Sequence, residues 1–193
     1  LDVNSALTVA EAGTATITTS FLDSSDVDND DDELIYTVTA IPGDGDLKNG
    51  STTLAADDTF TQQDIADSDI TYAHGGGEDS SDSFTFTVGD GSATLSEATF
   101  SISVTATNDD PTLDVNATLT LAEGGTGTIT TTYLDSSDVD NDDDEIIYTV
   151  TAIPGDGDLK NGSSTLSADD TFTQQDIADS DITYVHGGGE DSS

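Results

Sequence analysis

Residues 98–106 have the sequence ATFSISVTA, in which large apolar side chains alternate with serine and threonine. A period of two places successive side chains on opposite faces of an extended chain, as in a half-buried β-strand. The same alternation recurs in ELIYTVTAI (33–41) and DSFTFTV (82–88). Short alternating segments of this kind predict an all-β fold.

Turn signals separate these segments. LKNGST (47–52) contains Asn-Gly and TVGDGSAT (87–94) contains Asp-Gly, both typical of tight hairpins because the central residues take positive φ. TQQD (61–64) resembles a capping box and predicts one short helical turn before the strand DITYAH (69–74). About seven short strands in such a length are typical of a Greek-key β-sandwich.

The sequence repeats itself at an offset of 112 positions. LDVNSALTVAEAGTATITT (1–19) matches LDVNATLTLAEGGTGTITT (113–131), and the two copies differ at 11 of 81 aligned positions. We therefore predict two domains, 1–112, which includes the linker NDDPT, and 113–193. The second copy lacks counterparts of the last 31 residues of the first. The chain is thus expected to belong to a longer array, and strands donated by a neighbouring molecule are the alternative.

The charge of the chain limits its partners. Its 193 residues contain 41 Asp and Glu against 2 Lys and Arg, a formal net charge of -39. Nucleic acids and anionic membranes are recognised through basic residues, so neither is an expected partner.

The absence of cysteine excludes disulfides and zinc-thiolate sites. No apolar run approaches the roughly 18 residues of a membrane helix, so no membrane insertion is expected.

The acidic loop DSSDVDNDDDE (23–33) returns unchanged at 135–145. Calcium takes six to eight oxygen ligands, and aspartates in one loop can converge on it. Asp26, Asp28 and Asp30 alternate in the first loop. Two such charges about 4 Å apart repel by roughly 4 kcal/mol at an effective dielectric constant of about 20. The loop therefore predicts a calcium ion as its counter-charge, and a solvated acidic loop is the alternative.

Two familiar calcium motifs do not fit this loop. An EF-hand read from Asp26 needs glycine at its sixth position and an acid at its twelfth, which are Asp31 and Thr37 here. The glycine-rich nonapeptide of β-rolls is absent as well.

Adaptation to high salt also explains acidity, but it predicts acids spread over the surface, whereas here aspartate gathers in loops and the linker.

The junction between the copies carries further oxygen donors. Glu11 lies where the first strand is expected to end, and the linker ATNDDPT (106–112) contains Asn108, Asp109 and Asp110. Donors clustered at a junction can bind calcium between domains and stiffen a hinge.

Three stretches of the sequence resemble a known family. LIYTVTAIPGDGDLKNG, DTFTQQDIADSDITYAHGGGEDSSDSFTFTVGDG and the linker NDDP are similar to cadherin-like repeats of the chondroitin-sulfate-proteoglycan type, found in tandem in large bacterial surface proteins and adhesins. The resemblance covers residues 1–112 and, by internal identity, 113–193. It implies a calcium-stiffened β-sandwich that is secreted or exposed on a cell surface.

The resemblance also implies a set of calcium ligands at the junction. These are Glu11, Glu78 or Asp79, Asn108, Asp109, Asp110, Asp138 and Asp140. Internal identity adds Glu123 and Asp142 of the second copy to the predicted metal set. The linker NDDP is shorter than the Asp-Asn pattern of cadherins. Asp138 and Asp140 are expected to face the linker, and Asp26 and Asp28 a preceding domain.

The function predicted from these features is a calcium-binding repeat that extends and rigidifies a large extracellular surface protein or adhesin. Its expected partners are calcium and neighbouring repeats. The alternatives are a filament subunit completed by other copies of itself and a module that recognises a glycan or a protein. No enzymatic activity is expected, because His74 and His186 have no second His or Cys in their copies to form a triad or zinc site. Each histidine is expected to bond to the turn that follows its strand.

Overall fold

The computed structural model describes residues 1–189, and the chain forms two compact units. Unit 1 spans Leu1–Thr107, and unit 2 begins at Asn108. The linker residues 108–112 thus group with unit 2, whereas the sequence repeat places them at the end of the first copy. The repeat boundary at residue 112 remains a sequence-based prediction.

Unit 1 consists of three sheets and one short helix. Its elements are β1 (Val3–Asn4), β2 (Leu7–Ala10), β3 (Thr14–Thr16), β4 (Leu22–Asp23), β5 (Ile35–Ala40), β6 (Gly45–Asn49), β7 (Thr52–Thr53), β8 (Thr59–Thr61), α1 (Gln62–Ala66), β9 (Ile70–His74), β10 (Ser81–Gly89) and β11 (Ala98–Thr105). A five-stranded sheet has the order β2-β11-β10-β5-β8, a four-stranded sheet has the order β3-β9-β6-β7, and β1 pairs with β4. Strands β2 and β11 run parallel, and the other pairs are antiparallel.

The two larger sheets of unit 1 share one hydrophobic core. The five-stranded sheet contributes Phe86 and Phe100, and the four-stranded sheet contributes Leu47 and Tyr72, all of them buried. Burial of each such side chain stabilises the fold by about 1.5–3 kcal/mol. The prediction of an all-β sandwich is confirmed. Unit 1 has eleven strands where about seven were predicted. Among them, β1, β4 and β7 have two residues each and are too short to show a period of two.

The predicted helix start and hairpin are both present. Thr61 Oγ1 accepts a hydrogen bond from the Asp64 N–H at 3.1 Å, and the Asp64 carboxylate accepts one from the Thr61 N–H at 2.7 Å, which completes the capping box. The β6–β7 hairpin differs from the predicted Asn-Gly turn. Asn49 pairs with Thr52, so the central residues are Gly50 and Ser51. Only Gly50 has a positive φ, +56°, and it occupies the first central position.

Unit 2 repeats part of this arrangement. Its elements are β12 (Thr112–Asn116), β13 (Thr126–Thr128), β14 (Leu134–Ser137), β15 (Ile147–Thr149), β16 (Gly157–Asn161), β17 (Ser164–Thr165), β18 (Thr171–Thr173), α2 (Gln174–Ala178) and β19 (Ile182–His186). The sheets are β13-β19-β16-β17, β15-β18 and β12-β14. The segment 119–122, the counterpart of β2, forms no strand. In unit 1 this strand pairs with β11, which has no counterpart among residues 108–189.

Candidate metal-binding sites

The acidic loop of unit 1 follows β4 and is organised by its own side chains. Asp26 Oδ1 accepts the Asp28 N–H at 2.9 Å, and Glu33 Oε2 accepts the Asp30 N–H at 3.1 Å and the Asn29 side-chain amide at 3.2 Å. Asp26, Asp28 and Asp30 are all exposed to solvent. These bonds fold the loop on itself while these three aspartates remain exposed to solvent.

The acidic loop of unit 2 repeats these internal bonds and adds one from the Asn141 N–H. Asp138 Oδ1 accepts the N–H groups of Asp140 at 2.8 Å and Asn141 at 3.0 Å. Glu145 Oε2 accepts the Asp142 N–H at 3.2 Å. The loop conformation is therefore a property of the shared sequence.

A network of buried and partly buried polar side chains lies at the start of each acidic loop. In unit 1 the Tyr36 hydroxyl donates to Gln62 Oε1 at 2.6 Å and lies 2.9 Å from Ser24 Oγ. Gln62 Oε1 also accepts the Ser24 N–H at 3.0 Å, and Gln62 Nε2 donates to Asp23 Oδ1 at 2.8 Å. Tyr148, Ser136, Gln174 and Asp135 form the same network in unit 2. Each network fixes the start of an acidic loop against the first turn of a helix.

Two members of the network in unit 1 have raised pKa values. Burial raises the pKa of Tyr36 to about 12; the hydrogen bond with Ser24 opposes this, and the nearby carboxylates of Asp23, Asp2 and Asp31 add to it. Burial also raises the pKa of Asp23, again with contributions from Asp2 and Asp31. Three carboxylates that the sequence analysis did not select therefore lie close enough to interact.

Glu11 and Glu78 lie together at one end of unit 1. Glu11 follows β2, its N–H donates to the Thr105 carbonyl at 2.9 Å, and the residue is only 8% exposed. Glu11 Oε2 accepts the Thr107 N–H at 3.0 Å. A carboxylate oxygen of Glu11 and one of Glu78 lie within 4.8 Å of each other. The geometry thus brings Glu78 to Glu11, and Asp79 is exposed one residue further along.

The second copy differs at the position of Glu11. Glu123 is exposed, because unit 2 has no counterpart of β11 among the described residues to pack beside it. The counterpart of Glu78 is residue 190, which lies outside the described residues.

In unit 2, the linker lies on the acidic loop. Strand β12 pairs with β14, with Thr112 opposite Ser137. The Asp109 N–H donates to Asp140 Oδ2 at 2.6 Å, and Asp109, Asp110 and Asp138 line one groove. Asn108, the first residue of the unit, donates its side-chain amide to the Asp109 carbonyl. Asp142 lines a second groove with Asp138, Asn141, Asp143, Asp144 and Gln175.

Both histidines end a strand and bond to the adjacent turns. His74 Nδ1 accepts the N–H groups of Ala12 at 3.3 Å and Gly76 at 3.2 Å. His186 Nδ1 accepts those of Gly124 and Gly188, both at 3.1 Å. The contact with the following turn was expected, but the contact with the turn after Glu11 was not.

Comparisons with known proteins agree with the all-β sandwich architecture. A family model described as cadherin-like matches residues 1–104 and 111–193. The chain is also similar to "Extracellular matrix protein 3" of Lytechinus variegatus, with 33% identity over 189 residues, which is 97% of this chain and 6% of that protein.

The chain belongs to the cadherin-like family. It spans about 6% of the length of the curated relative that it matches. Among residues 1–189, no helix is long and apolar enough to cross a membrane.

Proposed function

We propose that the chain is a calcium-binding structural segment that stiffens an extracellular protein. The observation that carries the proposal is the pair Glu11 and Glu78, whose carboxylate oxygens lie within 4.8 Å while Glu11 is 8% exposed. At an effective dielectric constant of about 20, two charges at this separation repel by roughly 3 kcal/mol. A bound divalent cation converts this repulsion into attraction and supplies the counter-charge that a buried carboxylate needs.

The linker and the acidic loop of unit 2 support the proposal independently. The pairing of β12 with β14 and the bond from Asp109 to Asp140 gather Asp109, Asp110 and Asp138 along one groove. Carboxylates and backbone carbonyls are the ligands that calcium prefers. In this proposal, calcium binds to the Glu11–Glu78 pair of unit 1 and, in unit 2, to the carboxylates of the linker and the acidic loop.

The mechanical role follows from electrostatics. Each calcium ion reduces the mutual repulsion of its carboxylate ligands in a chain of net charge -39. Ions bound along the linker and the acidic loop restrict the backbone there, which stiffens the segment. The extracellular location of this function is inferred from the matrix protein to which the chain is similar.

Calcium titration of the full chain by isothermal calorimetry tests the proposal, together with thermal unfolding at constant ionic strength in calcium, magnesium or chelator. We expect dissociation constants of about 0.1–1 mM, as in other extracellular modules. At a Kd of about 0.1 mM, about 10 mM calcium stabilises the folded state by roughly 2.7 kcal/mol. Equal melting temperatures in calcium and in chelator contradict the proposal.

A charge-matched pair of variants separates coordination from general screening. Glu11→Gln with Glu78→Gln removes two carboxylates from the pair and should abolish part of the calcium binding. Asp67→Asn with Asp69→Asn makes the same charge change at exposed positions after α1 and should leave binding unchanged. Equal losses in both variants indicate that calcium acts only as a diffuse counterion.

A further inference from the structure

We infer that His74 is a positioning residue that holds the Glu11–Glu78 carboxylate pair in a geometry that binds calcium. The inference rests on the proposed function. It is motivated by two hydrogen bonds: the His74 ring nitrogen Nδ1 accepts the N–H groups of both Ala12 and Gly76. Ala12 directly follows Glu11, and Gly76 lies two residues before Glu78.

The histidine therefore joins the two segments that carry the carboxylates. The His74 N–H also donates to the Gly13 carbonyl at 2.9 Å, so backbone and side chain both tie the end of β9 to the turn after Glu11. Glu11 itself is held by Thr107 from β11's side. Without the Nδ1 acceptor, the segment after Glu11 and the segment before Glu78 lose the hydrogen-bond acceptor that they share. The separation of the two carboxylates is then no longer fixed.

Two unfavourable local features coincide at this attachment. Because Nδ1 accepts two N–H groups, the neutral ring carries its hydrogen on Nε2. His74 is 6% exposed, and its buried Nε2 has no hydrogen-bond partner among the described residues. Ala12 has a φ of +52°, in the left-handed region that costs an L-residue about 1–2 kcal/mol. Strain and unpaired buried polar groups concentrate where a geometry serves a function.

The second copy preserves the attachment although other contacts differ. His186 Nδ1 accepts the N–H groups of Gly124 and Gly188. Gly124 follows Glu123 and has a φ of +66°, the same backbone conformation as Ala12. The turn after the first glutamate is thus held by a histidine in both units, even though segment 119–122 forms no strand and β11 has no counterpart among residues 108–189.

Two substitutions at His74 test the role in the full chain, with calcium alone as the probe. His74→Asn keeps a side-chain oxygen near the position of Nδ1 and should bind calcium nearly as tightly as the wild type. His74→Phe keeps a ring but removes the acceptor and the unpaired Nε2. We expect it to weaken calcium binding at this pair by about tenfold, as do other changes behind metal ligands.

Tyr72→Phe is the matched control for stability. Tyr72 lies on the same strand, is fully buried, and donates its hydroxyl to Asp82 rather than to the segments of Glu11 and Glu78. It should lower the melting temperature in chelator without changing calcium affinity. His74→Phe should weaken calcium binding, whether or not it also lowers the melting temperature in chelator.

The decisive measurement is the coupling between His74 and the carboxylates. In a background of Glu11→Gln and Glu78→Gln, His74→Phe should have no further effect on calcium affinity measured by calorimetry. The inference is overturned if His74→Phe binds calcium as tightly as the wild type, if Tyr72→Phe weakens binding equally, or if the effect persists in that background. A wild-type chain that binds no calcium overturns the proposed function as well, so the two failures are distinguishable.

Discussion

Ala12 is a position at which the two copies of the repeat provide a natural comparison. Its φ is +52°, and its counterpart is Gly124, with a φ of +66°. A left-handed backbone costs an L-residue about 1–2 kcal/mol, whereas glycine adopts it freely but loses about 0.5–1 kcal/mol more in chain entropy on folding. We therefore predict that Ala12→Gly stabilises the chain by up to about 1 kcal/mol, measured by urea unfolding followed by circular dichroism.

The control for this prediction comes from the other alanine that the second copy replaces by glycine. Ala15 lies in β3, has no positive φ and corresponds to Gly127. Ala15→Gly should destabilise the chain by at least about 0.5–1 kcal/mol, because the entropic cost is not offset by relief of strain and the Ala15 methyl group packs against the core. If Ala12→Gly and Ala15→Gly change the free energy of unfolding in the same direction, relief of backbone strain at Ala12 does not explain the effect of Ala12→Gly.

At the scale of elements, the Asp82 side chain connects the two large sheets of unit 1. Its carboxylate, on β10, accepts the Tyr72 hydroxyl of β9 at 2.7 Å and the N–H groups of Gly43 at 2.9 Å and Asp44 at 3.1 Å. Burial alone raises the pKa of Asp82, but the hydrogen bonds from Gly43, Tyr72, Ser83 and Asp44 prevail and lower it below its ordinary value. The ionised form is therefore the form that stabilises the fold.

The sign of the pH dependence follows from this lowered pKa. A group whose pKa is lower in the folded state contributes stability above its unfolded pKa and loses it as the pH falls through the folded pKa. We predict that the difference in unfolding free energy between wild type and Asp82→Asn is largest near neutral pH and shrinks below about pH 4. Urea unfolding of both proteins at a series of pH values measures it. A difference that does not vary with pH shows that the Asp82 charge is irrelevant.

The elements that the sequence predicted are those specified by local signals. Periodicity located β5, β10 and β11, and the Thr61 capping box located α1. The strand β2 shows the limit of local signals. Its counterpart at 119–122 has nearly the same sequence but is not a strand, because pairing with β11 decides its conformation.

The candidate site likewise has parts that could be predicted from the sequence and parts that could not. The position of Glu11 after a strand and the linker acids could be predicted from the chain, and Glu78 from the family resemblance. The Tyr36–Gln62–Ser24 network and the contact of His74 with Ala12 could not, because they join residues far apart in sequence. The bonds of Glu33 to residues three and four positions earlier had a detectable signal in their spacing.

For the molecule as a whole, the two units differ in the core that they bury. Among the described residues, the core of unit 1 includes the fully buried Tyr36 and Tyr72, whereas their counterparts Tyr148 and Tyr184 are partly exposed. The core of unit 2 consists of Val150, Leu166, Phe172, Ile177 and Ile182 with partly buried neighbours. Less apolar burial lowers the free energy of local opening. We therefore expect unit 2 to open more often than unit 1, although the two sequences are nearly identical.

Hydrogen exchange followed by mass spectrometry can compare both units in one sample. Most peptides of the two copies have the same mass, but those containing Ala73 of β9 or Val185 of β19 do not. After correction for intrinsic rates, we expect the β19 peptide to exchange at least about tenfold faster, an opening free energy lower by about 1.4 kcal/mol. Because both peptides come from one chain, calcium, salt and pH are identical for the two. Equal corrected rates contradict the expectation, since they show that the β10 and β11 contacts of unit 1 add nothing to the stability of β9.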